Sequence, residues 1–532
     1  MSDAVASARR IVAVLAAHGV REAVLCPGSR SAPLAFALAA RTDLRLHVRV
    51  DERSAGYLAL GLAKASGRPV AVMTTSGTAV GNLLPAVMEA SHACVPLVVV
   101  SADRPSWLVG TGANQTTDQI GLFGTFVRGS LRVSDTWPTR AIDAHVARLV
   151  ALASGVRTRL PGPVHLNAEF AEPLVPDGTE DDPTVAATRL AALRAGPATV
   201  LPVGPRTVIV AGDATPEHGL DIAALAARAG LPLIAEPTSN ARQAALSAGS
   251  LLLASPLGVE VERVILAGHP TLTRPVNRLL ARADVEVIAW TPHAEWPDPG
   301  LRAAIVADAL ELARGDASWL ARWQEADARL ASALDRGAAP GLTGRTLVRT
   351  VLAHTSGPVV LGSSALIRDA DLLPADARPT YANRGLAGID GTIATAVGIA
   401  LDLAEPVTLL CGDLTALHDL NGLAIGPGEP RPTLRIIVGD DHGGSIFRML
   451  EPGAERFAGD FERLFATPTG VDLVAAAAGY GVHAERIGSV SDLEAALARP
   501  VQDIEVLVVD VDSSGRRAQA EEFARLATQL AV

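Results

Sequence analysis

Three times along its 532 residues the chain alternates short apolar β-like runs with Ala-rich helical stretches. No other feature limits its folding as much, because strands that alternate with helices pair in parallel through helical crossovers. In residues 1–175 the strand candidates are EAVLCPG, LRLHVRV, PVAVMTT, PLVVVSA and GPVHLNA. Residues 176–200 turn polar and then Ala-rich, and read as a linker. Residues 201–335 offer RTVIVAGD, PLIAE, RVILAGH and VEVIAW, without a GxGxxG loop, which argues against a dinucleotide site there. Residues 340–532 offer PVVLGSS, PTYANR, VTLLCGD, LRIIVGD and IEVLVVDVD. The expected fold class is α/β, with three doubly wound parallel-sheet domains.

Composition removes several function classes. With 49% hydrophobic and 19% charged residues the chain is globular, and a formal net charge of −11 argues against nucleic acid or an anionic membrane as partner. Cys26, Cys94 and Cys411 are far apart and form no CxxC, which fits a reducing compartment without disulfides or zinc. The N-terminal stretch is apolar at helical spacing but broken by Arg9, Arg10 and His18; it reads as an amphipathic first helix, not a signal peptide. No charge-free run is long enough to span a bilayer, and with the cysteine usage of a reducing compartment the expected location is the cytoplasm. Lys64 is the only lysine, and its setting suits neither Schiff-base chemistry nor a Walker A loop.

Ligands of such sheets sit at the carboxyl ends of the strands. There the chain carries PGSRSAP, DER, TTSGTA, SADRP, GSSALIR, NRGLAGIDG, GDLTALHD and GDDHGGSIF. Asp413 and Asp441 end two apolar runs 28 residues apart. Two carboxylates and a backbone carbonyl from a Gly turn suit a hard cation such as Mg²⁺, and Gly443-Gly444 would admit a diphosphate. Either turn alone reads better as an Asp-capped βα turn; the pair favours the cation and diphosphate. Glu52, between LRLHVRV and the small-residue run AGYLALGLA, reads on its own as a helix-start carboxylate beside Asp51.

The GD pair and the later polar pair with Gly resemble the diphosphate–metal motif of thiamine-diphosphate enzymes. That family usually has Asn where this chain has Asp441, and His442 beside it is unusual. Narrowed by CPGSRSAPLAFAL, DERSAGYLALGLA, TTSGTAVGNLLPAVMEA, SADRP, GTGANQTTDQIGLFG, NRGLAGIDGT and GDLTALHDLNGL, the chain is similar to the 2-succinyl-5-enolpyruvyl-6-hydroxy-3-cyclohexene-1-carboxylate synthases of menaquinone biosynthesis. The resemblance covers nearly the whole chain and is weakest in the middle segment.

The resemblance implies a pyrimidine-binding domain over 1–175, a middle domain over 201–335 and a diphosphate-binding domain over 340–532. It implies thiamine diphosphate with Mg²⁺ or Mn²⁺ as cofactors, and 2-oxoglutarate and isochorismate as substrates. The reaction would be decarboxylation of the first and addition of the resulting four-carbon carbanion to the second. Because sites of this family lie between two chains, a homodimer or dimer of dimers is implied. Glu52 takes the catalytic position against the aminopyrimidine, and Asp413, Asp441 and the Gly443 carbonyl take the metal positions. Cofactor positions fall on Pro27, Thr78, Gln115, Ile389, Gly412, Leu414, Thr415, Gly444 and Ile446, besides Asp413. Substrate positions fall on Ser29, Arg30, Arg104, Asn114, Arg274, Ser364, Arg368, Arg384, Phe447 and Leu450. Relatives often carry a basic pair where this chain has Thr273-Arg274. Two other readings are an acetolactate-synthase-like carboligase, which would often hold FAD in the middle domain, and a non-catalytic carboxylate-binding α/β protein.

Overall fold

A computed structural model describes residues 3–178, 183–193, 196–202, 204–337, 341–374 and 376–530. Positions 179–182 and 194–195 of the stretch read as a linker lie outside the described residues, as do 1–2, 203, 340, 375 and 531–532 of the three expected domains. The chain forms two compact units. One comprises Met1–Leu193, Gly385–Glu405 and His418–Leu434; the other comprises Arg194–Arg384, Pro406–Leu417 and Arg435–Val532.

In the first unit, strands β1 (Glu22–Leu25), β2 (Arg45–Val48), β3 (Val70–Thr74), β4 (Leu97–Asp103), β5 (Ser130–Ser134) and β6 (Val164–Glu169) make one sheet, ordered β2-β1-β3-β4-β6-β5. Every pair in it is parallel. The inner strands are buried along their whole length, as helices on both faces require, whereas β2 and β5 are partly exposed edges. Helices Asp3–Ala17, Ala32–Ala39 and Thr139–Ser154 close one face through Ile11, Leu15, Leu34, Leu38, Val146 and Val150. Each such aliphatic side chain contributes roughly 1.5–3 kcal/mol relative to exposure. On the other side, helix Glu52–Ser66 lies against helix Thr392–Leu403 at glycine contacts. A Cβ on Gly61 would fall 2.1 Å from the Thr395 carbonyl oxygen, and one on Gly398 would fall 2.3 Å from that of Leu58.

The second unit holds the two remaining large sheets. Strand β7 (Thr199–Leu201) pairs with β13 (Leu310–Leu312), so a strand begins inside the stretch read as a linker. Strands β8 (Thr207–Ala211), β9 (Leu233–Ala235), β10 (Arg263–Ala267), β11 (Glu286–Trp290) and β12 (Ala303–Ala307) form a sheet ordered β12-β11-β10-β8-β9. Strands β14 (Val359–Leu361), β15 (Thr380–Tyr381), β16 (Val407–Gly412), β17 (Leu434–Asp440), β18 (His483–Ile487) and β19 (Ile504–Asp510) follow the order β15-β14-β16-β17-β19-β18. That is the order of the first sheet repeated: second, first, third, fourth, sixth, fifth. The C-terminal helix Arg516–Leu530 places Phe523 and Ala527 in the core of the middle sheet, beside Trp323 and Leu330. No helix among the described residues is long and apolar enough to cross a membrane.

Repeated order means repeated switch points. In the first sheet the chain reverses direction across β1 and β3, and in the last across β14 and β16. A crevice opens at the carboxyl ends of such strand pairs. In the middle sheet the corresponding turns clasp each other through a bridge between Asp213 and His269. A Cβ on Gly212 there would sit 1.9 Å from the Pro270 nitrogen.

Candidate active site

At the switch point of the first unit, the turns after β1 and β3 meet so closely that a Cβ on Gly28 would lie 2.4 Å from the Thr75 Cβ. Pro27 and Ser29 are exposed on one turn and Thr78 on the other, with Arg30 half-buried. The two carboxylates at the start of helix Glu52–Ser66 divide the work. Asp51 is the N-cap, accepting from Arg53 N at 2.9 Å and Ser54 N at 3.3 Å. Glu52 is therefore free of that duty; it is half-buried and accepts from Asn82 Nδ2 at 3.2 Å. Thr78 is likewise not a cap, because Gly77, at φ 83°, occupies the cap position.

Arg104 and Gln115 come together through Ser76. Arg104 Nη1 donates to Ser76 Oγ at 2.6 Å and to the Gln115 carbonyl at 2.7 Å, and Gln115 Nε2 donates to the Ser76 carbonyl at 2.8 Å. Gln115 holds φ at 53°, a left-handed conformation that a non-glycine residue keeps only when its surroundings fix it. Asn114 beside it is exposed. Burial, and next the charge of Arg104, pull the Arg30 guanidinium below its ordinary value. The two cations therefore share one neighbourhood. Ile389 is half-buried, next to Asp390, whose carboxylate accepts from the Tyr57 hydroxyl. Burial, and next Glu52, push the Cys26 thiol above its usual range, so it is an inert buried group.

At the switch point of the second unit, Asp413 follows β16 and Asp441 follows β17. Asp413 Oδ2 accepts from Gly443 N and Oδ1 from Leu414 N, both at 2.7 Å. Asp441 accepts from the Ser445 hydroxyl. Burial, and next the charge of Asp441, push the Asp413 carboxyl up to about 7. Asp441 is also raised, chiefly by burial. Crowded carboxylates of this kind, with no basic side chain bonded to either oxygen pair among the described residues, fit a hard cation that relieves their repulsion. No group of three or more His, Cys, Asp or Glu able to hold a metal occurs among the described residues. A cation here would thus take two side chains and a backbone carbonyl. Gly443, at φ 127°, is required sterically, since a Cβ there would fall 2.1 Å from the Ala466 carbonyl oxygen. His442 is 77% exposed and leans toward Asp440, not toward the Asp413–Asp441 pair. A cavity of about 450 Å³ opens beside these turns, lined by Asp413, Leu414, Asp440, His442 and the loop 468–473.

Gly412 and Ser364 are neighbours, a Cβ on Gly412 lying 3.4 Å from that of Ser364. Ser364 caps its helix by accepting from Leu366 N at 3.2 Å. Thr415 is buried, Gly444 packs beneath Phe465, and Ile446, Phe447 and Leu450 lie on the following turn. Arg368 and Arg384 also come together. Burial, and next the charge of Arg384, pull the Arg368 guanidinium below its ordinary value. Arg384 donates to the hydroxyls of Thr271 and Ser363, and Arg368 to the Ser364 carbonyl at 3.4 Å. Neither forms an ion pair among the described residues. Arg274 is placed differently: it is 59% exposed and pairs with the exposed Glu451 at 2.9 Å. Sequence reading missed Ser76, Thr271, Ser363 and Arg486, the last donating to Asp440 at 3.0 Å. The first three sit on turns that follow strands β3, β10 and β14, and that position was the only available signal.

This fold, with matching strand orders and switch points in two parallel sheets, is that of a thiamine pyrophosphate enzyme (pyrophosphate and diphosphate name the same group). Residues 6–122 match the family described as thiamine pyrophosphate enzyme, N-terminal TPP binding domain, and residues 369–511 match its C-terminal TPP binding domain. A 2-succinyl-5-enolpyruvyl-6-hydroxy-3-cyclohexene-1-carboxylate synthase of a Nocardioides species is 46% identical over 98% of each chain. Synthases of the same name from Kineococcus radiotolerans (48% identical over 94% of each chain) and an Arthrobacter species (47% over 97% of this chain and 90% of the relative) are similarly close. The chain belongs to this synthase family.

Proposed function

We propose that the protein decarboxylates 2-oxoglutarate and adds the remaining four-carbon unit to isochorismate, a step of menaquinone biosynthesis. It would use thiamine diphosphate and Mg²⁺ or Mn²⁺, in the cytoplasm, as a homodimer or dimer of dimers. The observation that carries the substrate assignment is the pair Arg368 and Arg384, guanidiniums drawn largely out of water that form no ion pair among the described residues. Burying such charges is costly unless a partner arrives, and both proposed substrates bring carboxylates.

Residues 1–175 would hold the aminopyrimidine, residues 340–532 the diphosphate, and residues 201–335 would form the middle domain. Asp413, Asp441 and the Gly443 carbonyl would hold the cation, with Gly412, Leu414, Thr415, Gly444 and Ile446 around the diphosphate. Pro27, Thr78, Gln115 and Ile389 would contact the organic part of the cofactor. When bound, thiamine diphosphate supplies the electron sink for decarboxylation and carbon–carbon bond formation.

Glu52, contributed by a second copy of the chain, holds a proton at N1′ of the aminopyrimidine. Arg30, Arg104, Arg368 and Arg384 orient carboxylates, and Ser29, Asn114 and Ser364 supply hydrogen bonds. Phe447 and Leu450 wall the pocket against water. Arg274 would reach a substrate only by leaving Glu451. The test is an assay with thiamine diphosphate, Mg²⁺, 2-oxoglutarate and isochorismate. Product should form, and replacing 2-oxoglutarate by pyruvate should abolish it; equal turnover with pyruvate would overturn the assignment.

A further inference from the structure

The Arg384 guanidinium is oriented by neutral hydroxyls, and the principal one comes from the middle sheet. Its Nε and Nη2 both donate to Thr271 Oγ1, at 3.1 and 2.6 Å, and its Nη1 donates to Ser363 Oγ at 3.2 Å. Three of the five N–H groups are used in this way, which leaves two for another acceptor. Hydroxyls fix the plane of the guanidinium without cancelling its charge, as a carboxylate would.

Thr271 is itself held. It lies on the turn after β10, and its backbone N–H donates to Glu236 Oε1 at 2.9 Å, while Leu272 N donates to the same oxygen at 2.7 Å. Glu236 is buried at the end of β9, so its carboxyl pins this turn from inside the fold.

We infer that Thr271 is a positioning residue for the anionic substrate, acting through Arg384, with Glu236 anchoring the turn that carries it. The middle sheet thereby sets affinity for one of the two acids, although it supplies no group that touches the reacting atoms. This rests on the reading of Arg384 as a substrate-binding cation.

The experiment compares Thr271→Val, Thr271→Ser and Arg384→Ala in the holoenzyme, with KM for 2-oxoglutarate and isochorismate measured separately. Valine keeps the shape and loses the acceptor, and serine restores it. In Thr271→Val, KM should rise on the order of tenfold for the same substrate whose KM rises in Arg384→Ala. The KM for the other substrate and kcat should stay within about twofold, and Thr271→Ser should return KM to near wild type. If Arg384→Ala raises KM but Thr271→Val does not, or if serine fails to rescue, the inference falls and the reading of Arg384 stands. If Arg384→Ala leaves both KM values unchanged, the reading of Arg384 falls, and the inference with it.

Discussion

Asp413 Oδ2 accepts the backbone N–H of Gly443 at 2.7 Å, which ties the turn after β16 to the turn after β17. One carboxylate thus shapes the turn whose next backbone group is a proposed cation ligand. Its second oxygen is held by Leu414 N, so the side chain is oriented before any cation arrives.

Replacing Asp413 by Asn should separate structure from cation binding. The amide oxygen can accept from only one of Gly443 N and Leu414 N, so one backbone N–H loses its acceptor, while one of two crowded charges is removed. The two effects oppose each other, so the metal-free variant should melt near the wild-type temperature. The rise in melting temperature that Mg²⁺ and thiamine diphosphate give the wild type should shrink or vanish, and chelation should cease to affect it. Differential scanning calorimetry with and without both ligands checks this.

Asp51 and Glu52, adjacent in sequence, should fail in opposite ways. Asp51→Ala removes the cap of helix Glu52–Ser66 and should cost about 1 kcal/mol of stability. Glu52→Gln keeps the bond from Asn82 and should melt like wild type, yet lose turnover by roughly two or more orders of magnitude. Thermal melting paired with the assay separates the two.

His165 should make the first unit acid-sensitive. Burial pushes its imidazole down to about 4 from an ordinary 6.5. Ser101 donates to Asn167 Oδ1 at 2.7 Å, so the ring Nε2–H donates to Ser101 Oγ, and the buried Nδ1 has no hydrogen-bond partner among the described residues. The folded-state value lies below the unfolded one. As pH falls from about 6.5 to 4, the unfolded chain therefore takes up a proton that the folded chain refuses. Stability should decline by on the order of 3 kcal/mol across that window. The carboxyl of Asp103 is the acid nearest in this network, through Asn167 Nδ2 at 2.8 Å. Melting midpoints at pH 7 and pH 4.5, for wild type and His165→Gln, should show the smaller decline in the variant.

Gly398→Ala should be among the most damaging small substitutions. Its Cβ would sit 2.3 Å from the Leu58 carbonyl oxygen and 2.8 Å from Leu62 N, both on helix backbone that cannot swing aside. Separating the two helices should cost roughly 3 kcal/mol or more. Gly81→Ala, with nothing within 4 Å, is the control in the same unit and should differ little by chemical denaturation.

The inner strands were legible from sequence because burial on both faces makes them continuous apolar runs such as PLVVVSA. The strands that sequence reading missed are β5, β7, β12, β13 and β18. These are sheet edges or the separate two-stranded pair. SLRVS and HAERI each bury only one residue fully, so little apolar pattern is written into them. The same logic separates the site residues. Asp413, Asp441 and Gly443, proposed as cation ligands, lie in one local motif and could be singled out from spacing. The hydroxyls of Ser76, Thr271 and Ser363 find their partners 20 to 113 residues away, and no short stretch records such a pairing. The β7 strand over Thr199–Leu201 was hidden by its partner β13, which lies far along the chain.

The central claim is that Glu52 of one copy and Asp413 of another serve the same site. Two inactive variants, Glu52→Gln and Asp413→Ala, test it by complementation after co-expression. A hybrid dimer would pair the intact Glu52 of one chain with the intact Asp413 of the other, giving one working site. Random assembly should then restore roughly a quarter of wild-type turnover, since half the dimers are hybrids with one working site of two. A mixture as inactive as its parents, despite hybrids demonstrated by tagged purification, would contradict the account.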